Sequence, residues 1–314
     1  MPAERLILGI DGGGTKTVAW LARPTTEEPE VLGRGSAGPS NIQSVGFAAA
    51  TESLDQAIAA AFDTAGIPRV TLAAAVVALA GSDRDENRAQ LACWAQDHRV
   101  AQQWAVVHDA QPVLRAGSPE NWGVALIAGT GSLAFGRSRD GRTTRAGGWG
   151  FLFGDEGSGY SVALAGLRAV MHAHDGRGPE TALTEAFLAR LGLLSATGLI
   201  LAVYPHAADR AWVASLADTV VECSRDADLV AGRILDQAAD DLSAMVEAVA
   251  RRLDLGQPGF PLALTGGMLL ASAEMRERLA KSLERRGLTP GVALVPQPVL
   301  GAVCLAQDLA AKAE

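Results

Sequence analysis

Apolar and polar positions along the chain form a pattern that occurs twice. An apolar run, Leu6–Ile10, leads into the glycine turn Asp11–Gly14, and a second apolar run, Thr15–Ala22, follows. Later, Gly123–Ala128 leads into the turn Gly129–Ser132 and then into a further apolar run. Short apolar runs on both sides of a tight glycine turn are typical of β-hairpins. The repetition predicts a duplicated domain with one hairpin in each half.

The segments between the two hairpins alternate between helical and strand-like patterns. Phe47–Ala65 is rich in alanine and has apolar residues at helical spacing, which predicts a long helix. Buried strands are predicted at Ala73–Leu79 and Ala105–Val107, with a helix at Glu86–Gln96 between them. This alternation is typical of an α/β domain in which helices cover a mixed sheet. Functional side chains are then expected where the strands end.

The second half of the chain predicts mainly helices, with two further strands. The predicted helices are Tyr160–His172, Glu180–Leu191, Ala207–Cys223, Asp228–Leu253 and Val299–Ala311, and the predicted strands are Pro261–Leu264 and Val292–Val295. No low-complexity linker separates the two halves. We therefore expect two domains that pack closely around a hinge.

Composition and charge limit the classes of function. The chain has 314 residues, of which 48% are hydrophobic and 20% charged, enough for two domains with separate cores. A formal charge of −8 argues against broad binding to nucleic acid or to an anionic membrane surface. We expect no signal peptide, and no apolar run reaches membrane-spanning length. The odd number of cysteines, Cys93, Cys223 and Cys304, fits a reducing cytoplasm better than a disulfide framework.

The first glycine turn has the composition of a phosphate-binding loop. Successive glycines let several backbone N–H groups approach an anion with no side chain in the way. Asp11 offers an oxygen ligand for Mg²⁺, and Lys16 offers a positive charge. The spacing fits neither a dinucleotide fingerprint, which needs a glycine in place of Thr17, nor a P-loop, in which the lysine follows a glycine. An ordinary hairpin turn is the alternative interpretation.

The second turn, Gly129–Ser132, is also compatible with an ordinary hairpin when it is considered alone. Together the two turns predict a phosphate clamp, in which each domain contributes a glycine hairpin and a polyphosphate lies between them. Such a clamp holds its ligand by local geometry. A highly anionic ligand is then compatible with a sequence pI of about 5.2.

Six motifs, in order along nearly the whole chain, resemble those of one protein family. They are Leu8–Thr17, Gly38–Asn41, His108–Ala110, Ile127–Ser132, Gly147–Gly150 with Gly154–Ser158, and Leu264–Gly267. The first resembles the first phosphate motif of the sugar kinase, Hsp70 and actin superfamily. The whole set is similar, more narrowly, to the N-acetylglucosamine kinase branch, which includes the BadF/BadG/BcrA/BcrD ATPases.

This resemblance implies a two-domain α/β fold of the actin-like ATPase type, which is ribonuclease H-like. ATP and Mg²⁺ would lie in an interdomain cleft with the sugar deeper inside, and closure would exclude water that competes with the sugar hydroxyl. The implied domains are residues 1–117 and 118–298, with a C-terminal helix in 299–314 that packs back on the first domain.

The resemblance also implies roles for residues on the acceptor side. Asp109 matches the catalytic base, which takes the proton of the attacking sugar hydroxyl and therefore contacts the sugar. Without the resemblance, an aspartate after a strand is more typical of a helix cap or a turn. The other implied sugar-binding residues are Asn41, Gly148, Trp149, Gly150 and Asp155.

The implied nucleotide-binding residues lie in three glycine motifs. They are Gly13, Gly14, Thr15 and Lys16 in the first turn, Gly129, Thr130, Gly131 and Ser132 in the second turn, and Gly266 and Gly267 in the adenosine motif. Asp11 is the implied ligand of Mg²⁺. A further adenine-side glycine of the family has no counterpart in residues 223–227, which leaves that part of the pocket open.

We therefore expect a cytoplasmic, homodimeric ATP-dependent sugar kinase that converts N-acetylglucosamine to N-acetylglucosamine 6-phosphate. Glucosamine is an alternative acceptor, since loss of the acetyl group changes only a small part of the pocket. An activator ATPase of 2-hydroxyacyl-CoA dehydratases needs cysteine ligands for an iron–sulfur cluster, and the segments around Thr130 and Trp149 contain none. A non-catalytic sugar sensor usually adds a DNA-binding module, which we do not expect because the predicted fold begins at Leu6.

Overall fold

The computed structural model describes residues 5–79, 85–256 and 259–312. The chain divides into two compact units. The first comprises Met1–Asn121 and Gln297–Glu314, and the second comprises Trp122–Pro296. In sequence, the second unit is therefore a continuous segment inserted between the two parts of the first.

A five-stranded mixed sheet forms the centre of the first unit. Its strands are β1 (Ile7–Gly12), β2 (Thr17–Arg23), β3 (Glu30–Ala37), β4 (Leu72–Leu79) and β5 (Ala101–Val107), in the order β3-β2-β1-β4-β5. β1, β2 and β3 pair antiparallel, whereas β4 pairs parallel with both β1 and β5. The carboxyl ends of β1, β4 and β5 therefore lie at one edge of the sheet, which places Asp11 and Asp109 there.

The sheet of the second unit repeats this arrangement. Its strands are β6 (Gly123–Ala128), β7 (Ser132–Arg137), β8 (Thr143–Gly147), β9 (Pro261–Thr265) and β10 (Gly291–Leu294), in the order β10-β9-β6-β7-β8. β6, β7 and β8 pair antiparallel, and β9 pairs parallel with both β6 and β10. The duplicated hairpin predicted from sequence is thereby confirmed as a duplicated sheet topology.

Helices surround both sheets. Those of the first unit are α1 (Ile42–Val45), α2 (Phe47–Ala65), α3 (Asp85–Asp97), α4 (Ala110–Gly117) and α13 (Pro298–Ala311). Those of the second are α5 (Gly159–His174), α6 (Leu183–Leu191), α7 (Gly198–Val203), α8 (Arg210–Ser215), α9 (Ala217–Arg225), α10 (Leu229–Arg252), α11 (Gly267–Leu270) and α12 (Ala273–Arg285). Within the described ranges, no helix combines the length and apolar character that crossing a membrane requires.

Alternation along β1 directs its side chains to separate cores on the two faces of the first sheet. Ile10 packs in a core shared with α2, and Ile7 packs in a second core with Val303 of α13. Arg115 of α4 also holds α13, because its Nε lies 2.9 Å from Oδ2 of Asp308. The C-terminal helix is therefore part of the core of the first unit.

The contact between β1 and α13 leaves no room for a side chain at Gly9. A Cβ at this position would lie 2.3 Å from the backbone nitrogen of Val303. We expect Gly9→Ala to lower the free energy of unfolding by roughly 3 kcal/mol, because backbone atoms must move. Thermal melts test this, with Gly291→Ala as the control, since no atom lies within 4 Å of a Cβ there. Equal melting temperatures for the two variants would contradict the prediction.

The prediction of one helix over Ala207–Cys223 is wrong, because two helices occupy this region. α8 begins only at Arg210, and the side chain of Asp209 accepts a hydrogen bond from the N–H of Trp212 at 3.0 Å. This N-cap fixes the start of the helix. α8 and α9 then meet at Leu216, where the helix is interrupted.

Candidate active site

The first glycine turn joins β1 to β2 and is anchored by Gly13. The N–H of Gly13 donates to the carbonyl of Lys16 at 3.0 Å, which closes the turn. The carbonyl of Gly13 accepts hydrogen bonds from the N–H groups of Ser40 and Asn41, at 3.1 and 3.2 Å. The rest of the turn, Gly14–Lys16, is exposed. The predicted phosphate-binding residues therefore form an exposed turn whose base is fixed by the hydrogen bonds of Gly13.

Asn41 lies beside this turn and also caps α1. Its side-chain oxygen accepts a hydrogen bond from the N–H of Gln43 at 3.0 Å. Its NH₂ group donates to no other residue in the part of the chain that the structure describes. The two N–H donors of this amide are therefore available to a ligand.

Asp11 and Asp109 come together at the carboxyl edge of the first sheet. Burial, and secondly the charge of Asp109, raise the pKa of Asp11 to about 7, although Lys16 acts in the opposite direction. Within residues 5–79, 85–256 and 259–312, Asp11 has no side-chain hydrogen bond or ion pair. A half-buried carboxylate thus lies beside the exposed turn without a hydrogen-bonded or ion-paired partner among the described residues.

This pair of carboxylates suits a hard divalent cation. A bound cation would offset the cost of ionising Asp11 in a buried place. Among the described residues, no group of three or more His, Cys, Asp or Glu side chains could hold a metal ion. Mg²⁺ commonly binds through one or two carboxylates together with water and phosphate oxygens. The residues present therefore fit Mg²⁺ that arrives with a nucleotide.

Asp109 stands at the N-terminus of α4, but its side chain does not cap the helix. No N–H group of α4 donates to its carboxylate. Oδ1 of Asp109 lies 2.8 Å from Nδ1 of His108, and its side chain keeps 26% of its surface exposed. The helix-cap interpretation is thereby excluded for this residue. Its carboxylate remains accessible to a ligand.

The second glycine turn joins β6 to β7 and rests on a buried carboxylate. Asp155 is 5% exposed, and its Oδ1 accepts a hydrogen bond from the N–H of Ser132 at 3.1 Å. A Cβ added at Gly131 would lie 2.7 Å from the same oxygen. Burial raises the pKa of Asp155, while the Ser132 N–H and the charge of Arg210 act against this rise. Asp155 therefore supports the turn directly.

The predicted adenosine motif meets the same turn through its backbone. Gly266 has a φ of +95°, and a Cβ there would lie 2.4 Å from the carbonyl carbon and oxygen of Ala128. Only glycine fits such a close approach. Gly267 begins α11 and has no atom within 4 Å of its Cβ position. The motif and the turn form one continuous backbone surface.

The predicted sugar-binding segment is attached to the second turn. The N–H of Gly148 donates to the carbonyl of Ser132 at 2.9 Å, and Gly148 and Gly150 have φ values of +71° and +78°. Trp149 is 66% exposed and so is not a core residue. Cζ of Arg145 lies 5.0 Å from the centre of its ring, and Arg145 donates to the carbonyl of Gly148 at 3.3 Å. The indole is thus held at the surface beside the turn.

The structure groups the predicted site residues into one set in each unit. The first set is Asp11, Gly13–Lys16, Asn41 and Asp109, and the second is Gly129–Ser132, Gly148–Gly150, Asp155, Gly266 and Gly267. Sequence analysis did not identify His108 as a site residue, although its position next to Asp109 was a signal. It also did not identify Arg210, which belongs to no motif.

Comparison with known proteins identifies the family to which this chain belongs. A sequence model of the BadF/BadG/BcrA/BcrD ATPase family matches residues 8–306. The chain belongs to this family. The membership predicted from the six motifs is confirmed.

Two relatives of this BadF/BadG/BcrA/BcrD ATPase have named activities. An N-acetylmuramic acid/N-acetylglucosamine kinase of Clostridium acetobutylicum is 33% identical over 265 residues, which cover 84% of this chain and 86% of the relative. An N-acetyl-D-glucosamine kinase of Dictyostelium discoideum is 31% identical over 292 residues, which cover 90% of this chain and 91% of the relative. Both similarities span most of each protein.

Solved structures share the fold of this family member. A candidate N-acetylglucosamine kinase from Chromobacterium violaceum has a TM-score of 0.74 at 27% sequence identity, covering 97% of this chain and 100% of that one. A ROK family glucokinase from Streptomyces griseus, solved with glucose and AMPPNP, has a TM-score of 0.59 at 16% identity, covering 96% and 99%. These similarities confirm the predicted α/β, actin-like fold.

Proposed function

We propose that this family member is an ATP-dependent sugar kinase that phosphorylates N-acetylglucosamine, giving N-acetylglucosamine 6-phosphate and ADP. The observation that carries the proposal is the carboxylate of Asp109, which caps no helix and whose charge helps to raise the pKa of Asp11. The names of two relatives, which are 33% and 31% identical, support the choice of acceptor.

Asp109 acts as the general base in this proposal. Its carboxylate accepts the proton of the attacking sugar hydroxyl, while the hydroxyl oxygen bonds to the γ-phosphorus and the bond to ADP breaks. Nδ1 of His108 lies 2.8 Å from Oδ1 of Asp109, but it accepts a hydrogen bond from the N–H of Ala110 at 3.1 Å, so we assign His108 no role in orienting the carboxylate. The reacting hydroxyl must therefore bind within hydrogen-bond reach of Asp109.

Backbone N–H groups of both turns bind the phosphates in this proposal. The N–H groups of Gly13 and Gly129 close their own turns, since they donate to the carbonyls of Lys16 and Gly131. The N–H groups of Gly14, Thr15, Thr130 and Gly131 point to no acceptor among the described residues, and we assign these to phosphate oxygens. The threonine hydroxyls are additional donors.

Charge at the first turn comes from two residues. Asp11 would hold Mg²⁺, which when bound supplies positive charge to the phosphate oxygens. Lys16 is exposed and adds a mobile positive charge. Gly266 and Gly267 would line the adenosine, because a glycine backbone lets a flat base and ribose approach closely.

The sugar is bound by polar and backbone groups in this proposal. The NH₂ group of Asn41 donates to a sugar hydroxyl, and Asp155 offers its second carboxylate oxygen to another. Gly148 and Gly150 let backbone groups close on a small ring, and the exposed indole of Trp149 gives it an apolar face.

We also propose a homodimer that works in the cytoplasm. Leu201 and Tyr204 are 82% and 75% exposed, and a second copy of the chain would cover this apolar surface. The three cysteines, Cys93, Cys223 and Cys304, are free thiols, which fits a reducing compartment.

A coupled ADP-release assay tests the proposed reaction. With ATP and Mg²⁺ present, the acceptors compared are N-acetylglucosamine, glucosamine, N-acetylmannosamine, N-acetylmuramic acid and glucose. We expect the highest kcat/KM for N-acetylglucosamine, and mass spectrometry of the product should show one added phosphoryl group. A higher kcat/KM for glucosamine than for N-acetylglucosamine would identify glucosamine as the acceptor instead. Flat traces with every sugar, while calorimetry shows ATP binding, would exclude the kinase function.

A further inference from the structure

Arg210, the first residue of α8, is half-buried. Its guanidinium nevertheless forms no hydrogen bond or ion pair with any other residue that the structure describes. Arg278 of the same unit shows the usual situation, since it pairs with Glu274 at 2.7 Å and donates to the carbonyl of Gly232 at 3.2 Å. Partly buried charges are normally paired because desolvation is costly. Arg210 is therefore a candidate for binding an anion from outside the chain.

Two neighbours of the guanidinium belong to the segment that follows Trp149. Cζ of Arg210 lies 5.5 Å from the centre of the Phe151 ring, which is within the range of a cation–π interaction. The positive charge also acts on the carboxylate of Asp155, which binds the N–H of Ser132 in the second turn. The cation thus lies near the carboxylate that supports this turn.

The helix that carries Arg210 packs on the start of α5, which is hydrogen-bonded to the second turn. A Cβ added at Gly159, the first residue of α5, would lie 3.2 Å from the carbonyl oxygen of Ala214 in α8. The N–H of Gly159 in turn donates to the carbonyl of Gly129 at 2.8 Å. Ala214 lies four residues after Arg210 and therefore on the same face of α8. The face of α8 that packs on the start of α5 is therefore the face that carries Arg210.

The charge balance at the second turn requires a cation if a phosphate binds there. The turn Gly129–Ser132 contains no charged side chain, and the carboxylate of Asp155 lies directly against it. A phosphate at the turn would face this carboxylate, and like charges repel strongly where water is excluded. In the part of the chain that the structure describes, Arg210 is the cation whose charge lowers the pKa of Asp155.

We propose that Arg210 binds the γ-phosphoryl group of ATP and holds it during transfer. The guanidinium donates paired N–H groups to the phosphoryl oxygens while the bond between the γ-phosphorus and the β–γ bridging oxygen breaks and the bond to the sugar oxygen forms. The hydroxyl proton passes to Asp109, ADP leaves, and Arg210 stays protonated. The transfer step rests on the proposed kinase function, whereas the binding step needs only ATP.

A carboxylate on the acceptor would offer the same chemistry to a guanidinium. The C. acetobutylicum relative is named as a kinase of N-acetylmuramic acid, which is a sugar acid, as well as of N-acetylglucosamine. Phosphate is favoured here, because Asp155 and Gly159 link Arg210 to the second turn. The experiment below separates the two anions.

Arg210→Met removes the charge but keeps a long side chain that can pack on Phe151. In calorimetric titrations with Mg²⁺ and no sugar, we expect the affinity for AMPPNP to fall about tenfold and the affinity for ADP by less than about threefold. With N-acetylglucosamine as acceptor, kcat should fall about 10²–10³-fold with little change in the KM of the sugar. Arg210→Lys should recover part of both losses, because it restores a positive charge.

Arg139→Met is the matched control. Cζ of Arg139 lies 3.8 Å from the centre of the Trp122 ring, and this residue follows the far end of β7 from the turn. We expect it to change neither nucleotide affinity nor kcat. Equal losses of AMPPNP and ADP affinity in Arg210→Met would overturn the proposal, as would a loss confined to the KM of N-acetylglucosamine. A loss confined to N-acetylmuramic acid would assign the guanidinium to a carboxylate instead.

The outcome also distinguishes this inference from the proposed function. A wild-type chain that phosphorylates no sugar, combined with a selective AMPPNP loss in Arg210→Met, would refute the kinase and support the anion-binding role of Arg210. An active wild-type kinase whose Arg210→Met variant keeps its AMPPNP affinity and kcat would refute that role alone.

Discussion

Asp109→Asn is expected to lower kcat for N-acetylglucosamine by about 10²–10⁴-fold while leaving the affinity for ATP within about threefold. The amide has nearly the size of the carboxylate but does not accept a proton at neutral pH. The substitution costs no helix cap, because the carboxylate of Asp109 caps none. Steady-state kinetics and calorimetric titration with ATP measure the two effects.

Asp63→Asn is a suitable control for this substitution, since Asp63 lies on an exposed part of α2. It should leave both kcat and ATP affinity unchanged. Near-normal turnover of Asp109→Asn would remove this residue from the role of base. Parallel loss of ATP binding and turnover would instead indicate that Asp109 acts on the nucleotide.

Asp11→Asn is expected to stabilise the nucleotide-free protein at pH 8 by on the order of 3 kcal/mol. Burial and the charge of Asp109 raise the pKa of Asp11 from 3.8 to about 7 in the folded chain. Between these two values the native state holds a proton that the unfolded state has lost, so stability falls as pH rises through this interval. Asparagine carries no charge, so its advantage should be largest above pH about 7 and absent below pH about 4.

Thermal melts of both proteins between pH 4 and pH 8 measure this effect, and Asp63→Asn again serves as the exposed control. The stabilised variant should also have lost most of its kinase activity, because Mg²⁺ would lose an oxygen ligand. Higher stability together with lower activity is the pattern expected where an ionised group destabilises the fold but is needed for activity. A lower melting temperature for Asp11→Asn at pH 8 would show that the buried charge is not costly.

Local sequence patterns were sufficient to predict the helices and strands whose apolar residues recur at regular spacing. The helix Phe47–Ala65 and the strand Gly123–Ala128 have the bounds that their patterns predict. β3 was not predicted, because Gly33 and Gly35 are more typical of turns. A Cβ at Gly33 would lie 2.0 Å from the carbonyl oxygen of Ala61, so this strand contains glycine because α2 packs directly on it. That reason is tertiary and is not contained in the local sequence.

The candidate site could be predicted where it depends on backbone shape. Glycine turns are visible in sequence, and the resemblance to a known family singled out Asp109. The unusual pKa of Asp11 could not be predicted, because it depends on burial and on the position of β5 relative to β1. Arg210 is remote from Asp155 in sequence and comes near it only because α8 packs on the start of α5.

The path of the chain through the first unit has a consequence for its synthesis on the ribosome. α13 supplies the core in which Val303 packs with Ile7, yet it is translated after the whole second unit. The second unit is continuous in sequence and can complete its core first. Until α13 emerges, one face of the first sheet stays uncovered, and its apolar side chains are binding sites for chaperones. Nascent chains that stop before α13 are therefore expected to be degraded or to aggregate rather than to accumulate as half-active enzyme.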